Sequence, residues 1–141
     1  VRLTLTALPP DEWSRRPDRP NYRLRFANGG KSPAVIHEAG FWVNHEVVLR
    51  NADGEEPPLR PLGKELRDGV VRRFGDRDHD IDFVLETGKE LIENARIDVE
   101  TMYRLAPGNY TLTVVYWEKM GDLLKVESNK APFVMKPVSQ P

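Results

Sequence analysis

An all-β fold, a sandwich or barrel of short antiparallel strands, is what this sequence predicts. Three observations carry the prediction. Apolar residues recur at every second position through most of the chain, turn-forming residues separate these runs, and no segment offers a long helical period. From the start, Val1, Leu3, Leu5 and Ala7 alternate with Arg2, Thr4 and Thr6, the two-residue period of a half-buried strand. Tyr22, Leu24 and Phe26 repeat that pattern against Arg23 and Arg25. Residues 41–49 read as a strand with less contrast, and Ile81, Phe83 and Leu85 alternate with Asp80, Asp82 and Glu86. The clearest strand is 110–117, with Tyr110, Leu112, Val114 and Tyr116 on one face and the β-formers Thr111, Thr113, Val115 and Trp117 on the other. Residues 132–135 close the series.

Turn signals fall between the runs. Asn28-Gly29-Gly30, Asp53-Gly54, Thr87-Gly88, Pro107-Gly108 and Gly121-Asp122 each supply a residue that tolerates positive φ. Residues 119–122 are expected to join strand 110–117 to residues 123–126 as a hairpin. Only residues 62–68 and 90–102 could hold a helical turn or two. Two segments interrupt the strands, the Pro-rich residues 9–20 and the longer residues 55–80, which carry Pro57, Pro58 and Pro61 before a mixed-charge stretch. Both are expected to be long surface loops of one domain spanning 1–141, the second as an insertion.

Composition bounds the function. The chain has 141 residues, with 21 Lys and Arg against 22 Asp and Glu and no Cys. That length suits one domain with a genuine core. A formal net charge of −1 lacks the basic footprint of a nucleic-acid binder. Without Cys there is no disulfide framework, thiolate zinc site or Cys nucleophile. The longest uncharged run, residues 105–117, is 13 residues. A spanning helix needs roughly 20, so no transmembrane segment is expected in this chain. Strand-like alternation already begins at Val1, with no Met before it, and the expectation is a removed leader and an extracytoplasmic (periplasmic or secreted) location. A trimmed cytoplasmic domain is the alternative. Charge is uneven: residues 1–30 sum to +3 and residues 76–100 to −6, from which steering of a partner or mutual neutralisation within the domain could follow.

The second half carries a rhythm of its own. Phe83-Val-Leu-Glu-Thr-Gly-Lys-Glu is followed by Ile97-Asp-Val, by Tyr103-Arg-Leu-Ala-Pro-Gly-Asn-Tyr110, and by Val126-Glu-Ser-Asn-Lys-Ala-Pro-Phe-Val. This resembles bacterial immunoglobulin-like β-sandwich domains, and more loosely the bacterial intracellular proteinase-inhibitor family. The resemblance implies a two-sheet antiparallel sandwich of seven to nine strands with one long loop insertion. At the corner itself, Pro107 pre-sets φ and Gly108 accepts positive φ, a type II arrangement. Tyr110 then enters the strand facing inward, and its hydroxyl is expected to bond the backbone of that turn, as in a tyrosine corner.

The constellations that could carry chemistry are weak. Asp76, Asp78 and Asp80 alternate like oxygen ligands for Ca²⁺, but Ile81 and Thr87 stand where an EF-hand needs its Gly and Glu. A solvated acidic strand face is the better reading. His37, His45 and His79 lack zinc-protease spacing, and His45 reads as a hydrogen-bonded core histidine. No Ser sits in a Gly-x-Ser-x-Gly elbow, and Asn28-Gly29-Gly30-Lys31 lacks the rest of a phosphate-binding loop. Neither an enzyme nor a cofactor is expected. Aromatic and Arg side chains are the favoured contact residues: Trp13, Arg15 and Arg16 in the first loop, with Trp42 and Trp117 on what would be one sheet surface. Burial of those two rings under residues 55–80 is the competing reading. The expectation is a non-enzymatic protein-interaction module, a subunit or accessory domain of a larger extracytoplasmic bacterial assembly. Polysaccharide binding through the Trp residues and proteinase inhibition through residues 9–20 are the alternatives.

Overall fold

The structure, a computed structural model, describes residues 3–8, 21–38, 41–68, 81–117 and 125–137. It is mostly strand, and every pairing is antiparallel. The strands are β1 (Leu3–Leu8), β2 (Tyr22–Asn28), β3 (Ala34–Glu38), β4 (His45–Asn51), β5 (Ile81–Leu85), β6 (Glu90–Ala95), β7 (Gly108–Trp117), β8 (Lys125–Glu127) and β9 (Ala131–Met135). Short helices α1 (Phe41–Asn44), α2 (Pro61–Arg67) and α3 (Val99–Met102) lie between them. The first sheet runs β1-β2-β6 and a ribbon pairs β3 with β5. In the third sheet β7 is central, with β4 on one side and β8 then β9 along the other.

The ribbon continues the first sheet through a bend. Asn28 is still in register with Lys89, accepting Gly88 N–H at 2.8 Å and donating to the Lys89 carbonyl at 3.1 Å. Pairing resumes at Ala34 opposite Leu85, so residues 29–33 on one arm face residues 86–88 on the other. The buried Asn28 side chain holds this bend. Its Nδ2 donates to the Ser32 and Leu85 carbonyls, each at 2.9 Å, and its Oδ1 accepts Gly30 N–H at 2.9 Å. Gly88, at φ 78°, occupies the left-handed region that favours glycine.

In β2, β4 and β7 the two-residue alternation becomes burial as expected, whereas Phe83 of β5 is exposed. Tyr22, Leu24 and Phe26 of β2 and Val47 and Leu49 of β4 share one buried cluster with Tyr110, Leu112, Val114 and Tyr116 of β7. The first and third sheets therefore bury their inner faces in one core. Phe26 and Tyr116 meet edge to face at a centroid distance of 5.2 Å across it.

Two local expectations change and two are narrowed. Residues 41–44 are a helical turn and β4 starts at His45. The helical geometry lays the Phe41 ring flat on the His45 ring at 4.5 Å. It also brings His45 Nδ1 to 2.9 Å from the Phe41 carbonyl, a local set of contacts that outweighs the weak strand pattern. Of residues 90–102, only Val99–Met102 is helical, because Glu90–Ala95 pairs along β2. Within residues 55–80, α2 forms where residues 62–68 were expected to hold a helical turn, with Pro61 in its first turn. Finally, Gly108 sits at φ 151°, far from the value near +80° that a type II turn requires, because it already belongs to β7. The tyrosine-corner bond forms nonetheless: the Tyr110 hydroxyl donates to the Ala106 carbonyl at 2.6 Å.

Candidate functional site

The polar groups that converge most closely lie along the outer edge of β4. Register fixes which backbone groups face that edge. Val114 exchanges hydrogen bonds with Ser128, donating to Ser128 Oγ at 2.9 Å and accepting Ser128 N–H at 2.9 Å, so the even-numbered residues of β7 point toward β8 and β9. Odd-numbered β7 residues point to β4 and pair with Glu46, Val48 and Arg50. Val47 and Leu49 therefore turn their backbone groups away from the sheet. The Tyr103 hydroxyl meets them there, accepting Leu49 N–H at 3.2 Å and lying 3.4 Å from the Val47 carbonyl oxygen.

Arg67, from the end of α2, completes the cluster. Its Nη2 donates to Glu56 Oε1 at 2.6 Å, to the Tyr103 oxygen at 3.1 Å and to the Val47 carbonyl at 3.2 Å. Its Nε reaches Glu46 Oε1 at 2.9 Å. Tyr103 also contacts Glu56 Oε1 at 3.1 Å. Burial works against the Arg67 charge, but the hydrogen bond to Glu56 and the fields of Tyr103, Glu56 and Glu46 outweigh it, and the guanidinium pKa is raised. Burial pushes the Tyr103 phenol up to about 12, so it is neutral at physiological pH.

Sequence spacing gave little sign of this network, whose members lie at residues 46, 56, 67 and 103. Two supports position it. Pro58 and Arg60 bond the backbone on either side of Tyr103, with Arg104 N–H to the Pro58 carbonyl at 2.9 Å and Arg60 N–H to the Met102 carbonyl at 2.8 Å. Gly63 of α2 is buried against α3, where an added Cβ would collide with the Met102 carbonyl oxygen and come within 2.9 Å of Leu59 Cδ2.

Of the residues singled out from sequence, Trp42 and Trp117 meet this network. Glu46 Oε2 accepts from Trp117 Nε1 at 3.3 Å, and a small crevice is lined by Trp42, Glu46, Leu66 and Arg67. Trp42 stands on α1 and not on a strand face, packed edge to face on Phe41 at 4.9 Å. Lys125 Nζ sits 5.0 Å over the Trp117 ring. Both indoles are half-buried. Of the described residues 55–68, Arg67 reaches this face. Trp13, Arg15, Arg16, Asp76, Asp78 and Asp80 lie outside the described residues.

His45 is a core histidine. Its side chain is enclosed, Nδ1 donates to the Phe41 carbonyl, and Nε2 lies 3.7 Å from Glu93 Oε2 of β6, linking the two layers. Charges separated in sequence come together in space, because Arg25 of β2 pairs with Glu90 of β6 at 3.7 Å. At the end of β6 an open cleft of about 240 Å³ is lined by Asn21, Arg96, Asp98, Thr101 and Phe133. Arg96 is held there by Asp98 at 2.8 Å. Among the described residues no group of three His, Asp or Glu side chains gathers as a metal site, and no helix is long and apolar enough to cross a membrane.

The architecture defines the class, an antiparallel, mostly β protein. Comparison with family models, with curated proteins and with solved structures returned no match.

Proposed function

We propose that this chain is a non-enzymatic interaction module of immunoglobulin-like sandwich type, serving as a subunit or accessory domain of a larger extracytoplasmic bacterial assembly. The observation that carries the reading is the surface around Glu46. There Arg67 Nε at 2.9 Å and Trp117 Nε1 at 3.3 Å fix a carboxylate that lines one crevice with the half-buried Trp42, while Lys125 lies over the ring of the half-buried Trp117. Tryptophan and arginine dominate protein-binding hot spots because they bring large, rigid contact area with charge. The network's charges are already paired with one another, which suits a rigid platform better than a reacting centre. A polysaccharide is less well supported, since Lys125 occupies a face of the Trp117 ring that a sugar would stack on.

The test is paired. A tagged chain and its Trp42→Ala/Trp117→Ala variant are cross-linked in the native source and the products compared by mass spectrometry. The expected result is a defined companion protein lost with the double variant while circular dichroism stays unchanged. Identical cross-link patterns for the two chains would remove the reading. Quenching of tryptophan fluorescence by a polysaccharide panel would replace it with the carbohydrate alternative.

A further inference from the structure

The edges of the two main sheets are managed unequally. On the third sheet, β4 is capped by Tyr103 and Arg67, as described. At its other edge, the register of β9 turns the backbone of Pro132 and Val134 away from β7, since Leu112 pairs with Ala131 and Tyr110 with Phe133. Pro132 has no N–H to offer there, a device that blunts an edge strand. On the first sheet, β1 lies against β7 and β8. The remaining edge is β6, the end strand of its sheet among the described residues.

The Asn28-to-Lys89 hydrogen bond sets the direction of the β6 backbone groups. Leu91 and Glu93, in register with Phe26 and Leu24, point at β2; Glu90, Ile92 and Asn94 point outward. No proline interrupts Glu90–Ala95, and the side chain of Ile92, at its centre, is 55% exposed.

We propose that β6 pairs antiparallel with β6 of a second copy about a two-fold axis through Ile92, joining two three-stranded sheets into one. In that register the exposed residues of this strand match one another, while Leu91 stands opposite Glu93 of the second copy. Ile92 faces Ile92 of the second copy, covering the exposed side chain, and Glu90 faces Asn94 of the second copy, so no carboxylate meets a carboxylate. The outward N–H and C=O groups of Glu90, Ile92 and Asn94 then find partners on both copies. Two-fold pairing of one patch with itself is the commonest geometry for homodimers. This surface is separate from the Trp42–Trp117 face, and the proposal stands apart from the functional reading above.

Sedimentation equilibrium over a concentration series, up to the solubility limit, tests it. The wild type is expected to show a reversible monomer–dimer equilibrium. Ile92→Pro removes the outward N–H without touching a bond to β2, and is expected to leave monomer at every concentration. Should that variant misfold by circular dichroism, Ile92→Lys sets two like charges face to face and makes the same prediction. The register itself is read by Asn94: Asn94→Lys, facing Glu90, should tighten the dimer at low salt, and Asn94→Glu should weaken it. A wild type that stays monomeric throughout overturns the proposal, as does a dimer insensitive to all four substitutions.

Discussion

Tyr103 shows how one hydroxyl can close an edge. Its oxygen accepts Leu49 N–H at 3.2 Å and stands beside the Val47 carbonyl, where a further strand would otherwise pair, and the ring is fully buried. Tyr103→Phe keeps the ring and strands the Leu49 donor in a site closed to water. An unsatisfied buried group costs about 1–3 kcal/mol. Urea denaturation should therefore show a lower midpoint at unchanged slope; an unchanged midpoint would show that water already serves Leu49. This residue was within reach of sequence reasoning only as part of the stretch before the Pro107-Gly108 corner. Its partners lie 36 to 56 positions away, and no local period brings them together. Tyr110, by contrast, bonds Ala106 four residues back, and that contact was legible because the turn itself enforces it.

Among the elements, α2 depends on proximity. Seven residues make a helix too short to persist alone, so its stability comes from packing. Gly63 lets the helix lie against the Met102 backbone, and Arg67 at its far end ties it to β4. A methyl group at position 63 would force the two segments apart. Gly63→Ala should cost about 1–3 kcal/mol, despite alanine's better helix propensity, and raise hydrogen exchange at the Arg60 and Asp68 amides. An alanine variant as stable as the wild type would mean that α3 yields freely. The helical turn in residues 62–68 was visible from sequence, whereas the glycine's purpose was not, because its neighbour belongs to a segment about forty residues later. The opposite error, a strand read through Phe41–Asn44, arose where β-forming residues were recruited into a turn by a local ring stack.

For the molecule as a whole, the two layers each bury a tyrosine whose ionisation they oppose. Tyr22 of the first sheet and Tyr103 beside the third are both raised from 10.0 to about 12, burial being the leading cause in each. The folded state thus holds these protons where the unfolded chain releases them. Their contribution to stability is complete below about pH 10 and is lost as pH rises from there to about 12, since the unfolded chain then binds fewer protons than the native one. Two units apiece correspond to roughly 2–3 kcal/mol each at the upper end. Phenolate absorbance from Tyr22 and Tyr103 should accordingly lag and appear together with the loss of near-ultraviolet circular dichroism. Titration of Tyr22 and Tyr103 near pH 10.0 with the fold intact would contradict this.

Alternation along the strands, the glycines and prolines between them, and the Pro107–Tyr110 corner were sufficient to determine that this protein is built mostly from antiparallel strands, because such patterns act between residues that are neighbours in the chain. The pairing of sheets, the Glu46–Glu56–Arg67–Tyr103 network and the placing of Trp42 and Trp117 near one carboxylate were decided only by the tertiary structure. Those contacts span tens of residues and depend on strand register and on how one layer is laid over the other, and a two-residue period is the same for every register that keeps the apolar face inward.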